Sequence, residues 1–493
     1  MAALGRGMAA ASAARQGAGR DRVPRAASAR AMRLGLLVAS GGDERLALDP
    51  ASRRNRYGVP ARPAPDELWF SSSTACAVSP RGWAAAGELL ERLSAGAVEI
   101  GDRLDEVRAR LVQLYGAPGA EAILCASGTE AELAALALAL ALAEGPLVNI
   151  LAAPAETGSG ASAAAAGRHF LGGSSLGGPV ARGARLAGWE DAPITLEAVE
   201  IRRPDGRLRA AAEVDRQAAL QTGRAVAAGA FVLLHVLDAS KTGQPGIGRA
   251  AARQIAARHP GRVLVLVDAC QLRAPAEALR ADVAAGFAVM LTGSKFAGGP
   301  PFSGALLAPQ GLVERLAGGP TAGAALAPYS AALDWPASLR PRFAAGLTHP
   351  ANLGLALRWA AALAEIEAFE ALAASRRQIL LEAFRAAVHA RIAELSGLAL
   401  LDGPRSAGAA GLVAIVDRDG ADANAVHAAL MAPSDRLARP CHLGQPVAVA
   451  GRVALRVCAS MPMITAAAET GFSALEADLD ALFEAWAAAR RKP

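Results

Sequence analysis

Between residues 120 and 310 the sequence repeats one pattern: a short, uninterrupted apolar run, a polar turn, and then a stretch with helical spacing. Uninterrupted apolar runs are typical of strands that are buried on both faces of a parallel sheet. Strands that alternate with helices predict a doubly wound α/β architecture. We therefore expect a large, mostly parallel sheet whose strands cover residues 122–126, 147–152, 198–201, 231–237, 262–267, 287–291 and 303–307.

The pattern changes after residue 336. Residues 351–398 have almost continuous helical spacing, and the apolar runs at 411–416 and 453–457 predict strands flanked by helices. A chain of 493 residues exceeds what one compact core usually holds. We therefore expect four regions: an N-terminal extension (1–31), an irregular segment with a helix (32–95), the large sheet domain (96–340) and a smaller α+β domain (341–493).

The first 31 residues carry most of the positive charge. They contain six arginines and one acid, a net charge of +5, whereas the whole chain has a formal net charge of +6. The remainder is nearly neutral and has no basic stripe, which argues against nucleic-acid binding. We expect this extension to be disordered or targeting-like, or else to precede an alternative start at Met32.

The five cysteines are widely spaced and form no Cys-x-x-Cys pair. This spacing indicates neither a disulfide framework nor a zinc site, and free thiols fit a reducing cytoplasm. The longest apolar run, residues 133–143, is about half the length that spans a bilayer and predicts a buried helix. We therefore expect a cytoplasmic protein without a membrane segment.

Lysine is rare in this chain: only three of the 51 basic residues are lysines, namely Lys241, Lys295 and Lys492. Arginine stays charged near neutral pH, whereas a buried lysine can lose its proton and act as a nucleophile or form a Schiff base. Lys492 lies in the C-terminal tail, where a solvated charge is expected. Lys295 follows an apolar run and is the candidate catalytic lysine. Lys241 ranks second because it lacks the Asp-x-x-Gln motif that precedes Lys295 at residues 268–271.

Polar side chains follow three predicted strands at the point where each strand ends. The Ser127-Gly128-Thr129 turn follows the first of them, and Asp268 follows another. Thr292 and Lys295 follow the third. Ligands of doubly wound sheets lie beyond these strand ends. A hydroxyl-rich turn at a helix start can hold a phosphate, although a plain helix cap predicts the same residues. A lysine, an acid that keeps a pyridine nitrogen protonated and a phosphate-binding turn together fit pyridoxal 5'-phosphate.

The order of the motifs Ser-Gly-Thr-Glu, Asp-Ala-Cys-Gln and Thr-Gly-Ser-Lys resembles that of the fold-type-I pyridoxal-phosphate enzymes. It is most similar to the class V aminotransferase and cysteine desulfurase branch, over residues 68–490. The resemblance implies that Lys295 forms the Schiff base and then acts as the general base. It also implies that Asp268 pairs with the pyridinium nitrogen and that Gln271 hydrogen-bonds to the phenolic oxygen. Thr292 would bind the phosphate.

The resemblance assigns roles to positions outside these motifs as well. Thr348 would reach the phosphate of a neighbouring subunit, which implies a homodimer. Arg456 would bind the substrate α-carboxylate. In the family, a residue stacks on the cofactor ring, and Thr157 lies where that residue is expected. His169 is a more distant candidate for this role, but we interpret it as a structural histidine. Ser240 would contact the ring or the substrate.

Three functions stay open at this point. The first is a pyridoxal-phosphate enzyme that acts on an amino acid or related amine, as an aminotransferase or lyase. The second is a cysteine desulfurase or C–S lyase in which Cys441, in a loop, attacks the substrate sulfur while His442 lowers its pKa. Against it, Ser294 stands where many desulfurases have a histidine before the lysine. The third is a non-catalytic, nucleotide-binding α/β protein in which Lys295 is incidental.

Overall fold

The computed structural model describes residues 25–403, 409, 411–432 and 439–491. The expectations for residues 1–24 and for Lys492 concern positions outside these ranges. The strands are, in chain order, β1 (Leu68–Phe70), β2 (Glu121–Cys125), β3 (Leu147–Ala152), β4 (Gly173–Ser174), β5 (Gly178–Pro179), β6 (Ile194–Val199), β7 (Phe231–Leu237), β8 (Val263–Ala269), β9 (Ala288–Thr292), β10 (Gly304–Ala308), β11 (Leu398–Leu400), β12 (Leu412–Asp417), β13 (Cys441–Val449) and β14 (Arg452–Cys458).

Helices precede, separate and follow these strands, and three short 3₁₀ turns occur at Pro154–Glu156, Ala324–Leu326 and Ala332–Asp334. Their arrangement along the chain matches the alternation expected from the sequence. The α-helices are α1 (Arg25–Val38), α2 (Pro80–Ser94), α3 (Ile100–Tyr115), α4 (Gly128–Leu142), α5 (Ala161–Ala165), α6 (Ala211–Ala227), α7 (Arg249–Arg258), α8 (Ala276–Ala284), α9 (Gln310–Leu316), α10 (Arg340–Phe343), α11 (Leu353–Glu370), α12 (Ala374–Glu394), α13 (Ala423–Met431), α14 (Met461–Thr470) and α15 (Ser473–Arg490).

The larger sheet has seven strands in the order β2-β10-β9-β8-β7-β3-β6. Strands β6, β3, β7, β8 and β9 are parallel, and β10 runs antiparallel to both of its neighbours. Alternate side chains of one strand enter different cores. In β7, Leu233 belongs to the core that contains helix α4, whereas Val232 and Leu234 belong to the core on the other face. Both faces are therefore apolar, which explains why the strand sequences do not alternate with polar residues.

The second sheet has five strands in the order β1-β13-β14-β12-β11. Four of them come from the C-terminal part of the chain, whereas β1 comes from the N-terminal segment. Strand β1 pairs in parallel with β13, with Leu68 opposite Cys441 and Phe70 opposite Leu443. Helix α11 packs against α2, α3 and α14. The N-terminal segment is thus part of the small domain's sheet.

The structure confirms the predicted α/β architecture and corrects several details. The helix expected within residues 32–95 is α2, and the chain turns at Gly96, whose φ of 66° is left-handed, before α3 begins. Helix α1 extends to Val38, so the boundary expected after residue 31 falls inside a helix. The loop predicted around Cys441 is wrong, because strand β13 begins at Cys441.

The remaining structural expectations concern membrane segments, metals and thiols. The described part of the chain holds no helix that is both long and apolar enough to cross a bilayer. Within the same residues, no group of three or more His, Cys, Asp or Glu side chains is arranged to hold a metal ion. All five cysteines are free and buried.

Candidate active site

A cavity of about 380 Å³ lies where the carboxyl ends of the parallel strands meet the edge of the small sheet. Residues from motifs that are far apart in the sequence share its wall. The wall contains most of the residues that the sequence predicts for the site, namely Ser127, Gly128, Thr129, Thr157, Asp268, Gln271, Thr292, Lys295 and Arg456.

Lys295 and Asp268 line this cavity from adjacent strands. Asp268 lies near the end of β8, which pairs in parallel with β9, and Lys295 lies in the turn after β9. Asp268 Oδ1 accepts a hydrogen bond from Cys270 N at 3.0 Å, which fixes the turn after β8. Among the described residues, no cationic side chain forms an ion pair with Asp268. Its charge is therefore available to a cationic ligand.

The turn that carries Lys295 is closely packed. Gly293 N donates to Ser303 O at 2.7 Å, and Gly299 N donates to Gly293 O at 2.9 Å. A Cβ atom at Gly293 would lie only 2.5 Å from Ala362 Cβ on helix α11, so a larger residue does not fit. The small neighbours of the lysine thus hold its turn against a helix.

The Ser-Gly-Thr turn opens helix α4 at the cavity wall. Ser127 Oγ accepts a hydrogen bond from Glu130 N at 3.3 Å, so the plain capping role is present. A Cβ atom on Gly128 would lie 2.7 Å from Cys270 Sγ. Cys270 therefore approaches this position so closely that a glycine is needed there. Because α4 begins at the wall, its positive end and its first backbone N–H groups are placed for an anion.

Three predicted cofactor contacts already make hydrogen bonds within the protein. Gln271 Nε2 donates to Ser73 O at 3.2 Å, whereas its Oε1 is buried and has no partner among the described residues. Thr157 Oγ1 donates to a backbone oxygen in its own turn at 3.0 Å. Thr292 Oγ1 donates to Cys270 O at 2.7 Å. Thr292 would have to give up this bond before it could donate to a phosphate.

Arg456 is buried in the middle of strand β14. Its guanidinium donates to Gln445 O at 2.5 Å, to Thr74 Oγ1 at 3.1 Å and to Lys241 O at 3.4 Å. No carboxylate of the described residues forms an ion pair with it, and burial lowers the pKa of Arg456 to about 10. A buried guanidinium without a counter-ion at a cavity wall is well placed to bind a carboxylate.

Three predicted residues lie outside the cavity wall. Ser240 is buried behind it and donates to Glu156 Oε2 at 3.0 Å. His169 Nδ1 hydrogen-bonds to the hydroxyl of Tyr329 at 2.8 Å, in agreement with a structural role. Thr348 is exposed in the loop before α11, and its predicted contact concerns a neighbouring subunit.

The structure does not bring Cys441 to the cavity. Its side chain is buried at the start of β13, and Sγ contacts Arg439 O at 3.4 Å. Burial raises the pKa of the Cys441 thiol to about 11. His442 is occupied elsewhere, because its ring stacks on Trp69 with the ring centres 3.7 Å apart and its Nε2 contacts a Glu67 oxygen at 2.6 Å. The proposed thiolate nucleophile therefore lacks both a position at the site and an activating partner.

Several residues of the wall were missed by reasoning from sequence. The N-terminal segment, expected to be irregular, supplies four of them, because β1 anchors it to the small sheet. The sequence feature that could have indicated their place in the wall was the polar run that follows Trp69. The missed residues include Arg45, Tyr57, Ser73, Thr74, Glu132 and Glu156. Lys241, the second-ranked lysine of the sequence analysis, also lines the wall, from the turn after β7.

No protein-family model and no curated protein matches the sequence. Solved structures do share the fold. The cysteine desulfurase CsdA from Escherichia coli is 16% identical, with a TM-score of 0.57, and the match covers 90% of this chain and 98% of that one. A NifS-like protein from Rickettsia africae is 12% identical, with a TM-score of 0.53, and the match covers 86% of this chain and 99% of that one.

An aminotransferase gives a similar result. The phosphoserine aminotransferase from Cytophaga hutchinsonii is 12% identical, with a TM-score of 0.53, over 85% of this chain and 99% of that one. At these identities the likeness concerns the fold. It confirms the α/β fold with a large, mostly parallel sheet that was expected from the sequence, and this chain shares that fold with a cysteine desulfurase and an aminotransferase.

Proposed function

We propose that this protein is a pyridoxal-phosphate-dependent enzyme that acts on an amino acid or a related amine, in the manner of class V aminotransferases. The observation that carries the proposal is the presence of Lys295 and Asp268 in one cavity wall, at the ends of adjacent parallel strands. The fold supports it, since an aminotransferase and a cysteine desulfurase have the same fold.

The residues of the cavity fit this cofactor group by group. Lys295 offers an amine for the aldehyde. Asp268, which has no ion-pair partner among the described residues, offers a carboxylate for the pyridine nitrogen. The N-terminus of helix α4, with its Ser-Gly-Thr turn, offers backbone N–H groups and hydroxyls for the phosphate. Each group of the cofactor therefore has a chemically matched counterpart.

When bound, pyridoxal phosphate supplies an electron sink for the bond that breaks at the substrate Cα. Lys295 Nζ would hold the cofactor covalently, and its amine would serve as the general base for the Cα proton. Asp268 would keep the ring nitrogen protonated through its negative charge. Arg456 would orient the substrate by its carboxylate.

An aminotransferase or lyase reaction is better supported than a desulfurase reaction that uses Cys441. A thiol nucleophile must reach the substrate as a thiolate. Cys441 does not line the cavity, and burial raises its pKa to about 11. The same residues would serve a transamination and a lyase reaction alike.

The proposal includes a homodimer in the cytoplasm. Thr348 is exposed and does not line the cavity of its own chain. As a phosphate ligand it would therefore act on the site of a second subunit. The five free cysteines suit a reducing compartment. Sedimentation of the purified protein tests the dimer, and a monomer that binds the cofactor fully would contradict it.

Absorbance and chemical trapping test the core of the proposal. The purified protein, supplied with pyridoxal phosphate, should show a near-visible band, and borohydride should fix the cofactor to the peptide that contains Lys295. Lys295→Ala should lose both signals, whereas the matched variant Lys241→Gln should keep them. A wild-type protein without the band, or a cofactor fixed at Lys241, would contradict the assignment.

The reaction type is tested by a screen of amino donors against keto-acid acceptors. Transfer of the amino group between the two, read by mass spectrometry, is the expected result. Release of sulfide from cysteine, abolished in Cys441→Ser, would instead support the desulfurase function.

A further inference from the structure

Lys241 lies in the same cavity wall as Lys295 and Arg456. It follows strand β7, and its backbone is held from two sides. Lys241 N donates to Glu156 O at 2.7 Å, and Lys241 O accepts from Arg456 Nη1 at 3.4 Å. The first contact joins it to the turn after β3 and the second to strand β14, so the backbone of Lys241 is held at a fixed place in the wall.

The ammonium group of Lys241 lacks a partner within the described residues. No carboxylate forms an ion pair with it, and no hydrogen bond from Nζ is found. Burial, with the positive charges of Arg456 and Lys295, lowers the pKa of Lys241 to about 8, and Glu156 opposes this shift. Besides Arg45, which pairs with Asp43, three cationic residues therefore line one cavity.

Glu156 is the acid next to Lys241, but its carboxylate already has an ion-pair partner and hydrogen-bond donors. Its carboxylate pairs with Arg202 and accepts hydrogen bonds from the hydroxyls of Ser240 and Thr242. Arg202 does not line the cavity and also pairs with Asp402. Glu156 therefore does not neutralise Lys241.

The other charges of the wall are also accounted for. Arg45 pairs with Asp43 at 2.6 Å. Glu132 lies 3.3 Å from His235 Nε2 and accepts a hydrogen bond from Asn149 at 3.2 Å. Under the proposed function, the covalent bond to the cofactor uses the Lys295 amine, and Asp268 pairs with the ring nitrogen.

Two cations remain for the substrate after this assignment, Arg456 and Lys241. An α-carboxylate accounts for one of them. We propose that Lys241 binds a second anionic group on the substrate side chain, so that the preferred substrates are acidic amino acids with a carboxylate or similar anion at the β or γ carbon. This inference rests on the proposed function. A cavity of about 380 Å³ is small for a ligand site, which favours a short substrate beside the cofactor.

Binding of acids that cannot react with the cofactor tests this directly. Glutarate carries two carboxylates, and glutaramate has the same shape with one carboxylate replaced by a neutral amide. Calorimetry with the cofactor-loaded protein should show that glutarate binds roughly 10- to 100-fold more tightly than glutaramate. This difference corresponds to the free energy of one hydrogen-bonded charge pair. Lys241→Gln should abolish this preference while glutaramate affinity stays unchanged, and Lys241→Arg should retain most of it.

The remaining outcomes separate failure of this inference from failure of the proposed function. Equal affinity of the wild-type protein for the two acids, or a preference that survives in Lys241→Gln, would overturn the role of Lys241. Loss of cofactor affinity in Lys241→Gln with the preference intact would assign Lys241 to the cofactor phosphate and would also overturn it. A wild-type protein that takes up no cofactor would refute the proposed function itself.

Discussion

The guanidinium of Arg456 donates to the backbone oxygen of Lys241 at 3.4 Å. This contact joins strand β14 of the five-stranded sheet to the turn after β7 of the seven-stranded sheet. It places two cationic side chains next to each other in one cavity wall. Because the two residues belong to different sheets, the spacing of the two charges depends on how these sheets pack together.

Replacement of Arg456 should impair substrate binding more than cofactor binding. Arg456→Gln removes a buried charge that has no counter-ion among the described residues. The variant loses the bidentate interaction between the guanidinium and the substrate carboxylate. We therefore expect kcat/KM to fall by about 100-fold, mainly through a higher KM. Arg456→Lys should recover only part of it, because an ammonium cannot form the planar fork. Steady-state kinetics and cofactor absorbance check this, and an unchanged KM would contradict the carboxylate role.

Asp268→Asn should lower turnover without unfolding the site. The asparagine oxygen can still accept the bond from Cys270 N, which is 3.0 Å long in the wild type, so the turn after β8 should persist. The negative charge that favours a protonated ring nitrogen is lost, however. We expect kcat to fall by at least about 100-fold, or roughly 3 kcal/mol, while urea unfolding changes by less than about 1 kcal/mol. Equal losses of stability and activity would point to a structural role only.

The strands of the large domain could be predicted from sequence because burial on both faces leaves a local signal. Residues 147–152 and 231–237 coincide with β3 and β7, and their alternate side chains enter the two cores. The strand-end rule then located Asp268 and Lys295, since all carboxyl ends of parallel strands lie at one edge. These predictions needed no knowledge of distant contacts.

Strand β13 could not be predicted in the same way. It contains Gly444 and Pro446, which normally argue against a strand, and the structure places an irregularity in the β13–β14 pairing between Gly444 and Val447. Its other neighbour is β1, from the opposite end of the chain, so no local sequence pattern indicates that β1 and β13 pair. Cys441 was placed in a loop for this reason, and the residues of the N-terminal segment at the cavity were missed for the same reason.

Cys441→Ser should leave turnover unchanged. The thiol is buried in β13 away from the cavity, and its Sγ contacts Arg439 O, which a serine hydroxyl can also reach. The expected cost is limited to about 1 kcal/mol of stability, measured by urea unfolding. A drop in turnover without a change in stability would support a mechanism in which the Cys441 thiolate is the nucleophile.

Glu130→Gln should stabilise the protein above pH 8 and have little effect below pH 5. Burial, with a smaller effect from Asp43, raises the pKa of Glu130 to about 8, and its Oε2 has no hydrogen-bond partner among the described residues. The folded state therefore binds the proton more tightly than the unfolded state, and this contribution to stability is lost as the pH rises from about 4.5 to 8. Glutamine keeps the shape without the charge. Unfolding free energies at pH 5 and pH 9 should differ by roughly 4 kcal/mol less in the variant than in the wild type.

The preference for glutarate over glutaramate should weaken as the pH rises through about 8, the pKa of Lys241 in the free protein. Lys241 faces the cations Arg456 and Lys295 and the acid Glu156, and burial and the two cations favour its neutral form. It is mostly charged at pH 7, whereas at pH 9 only about a tenth of the molecules carry the charge, so the preference should weaken about tenfold. In Lys241→Arg the preference should stay constant over this range, because arginine remains protonated. Parallel pH profiles for the wild type and Lys241→Arg would show that another group, such as Lys295, controls the change.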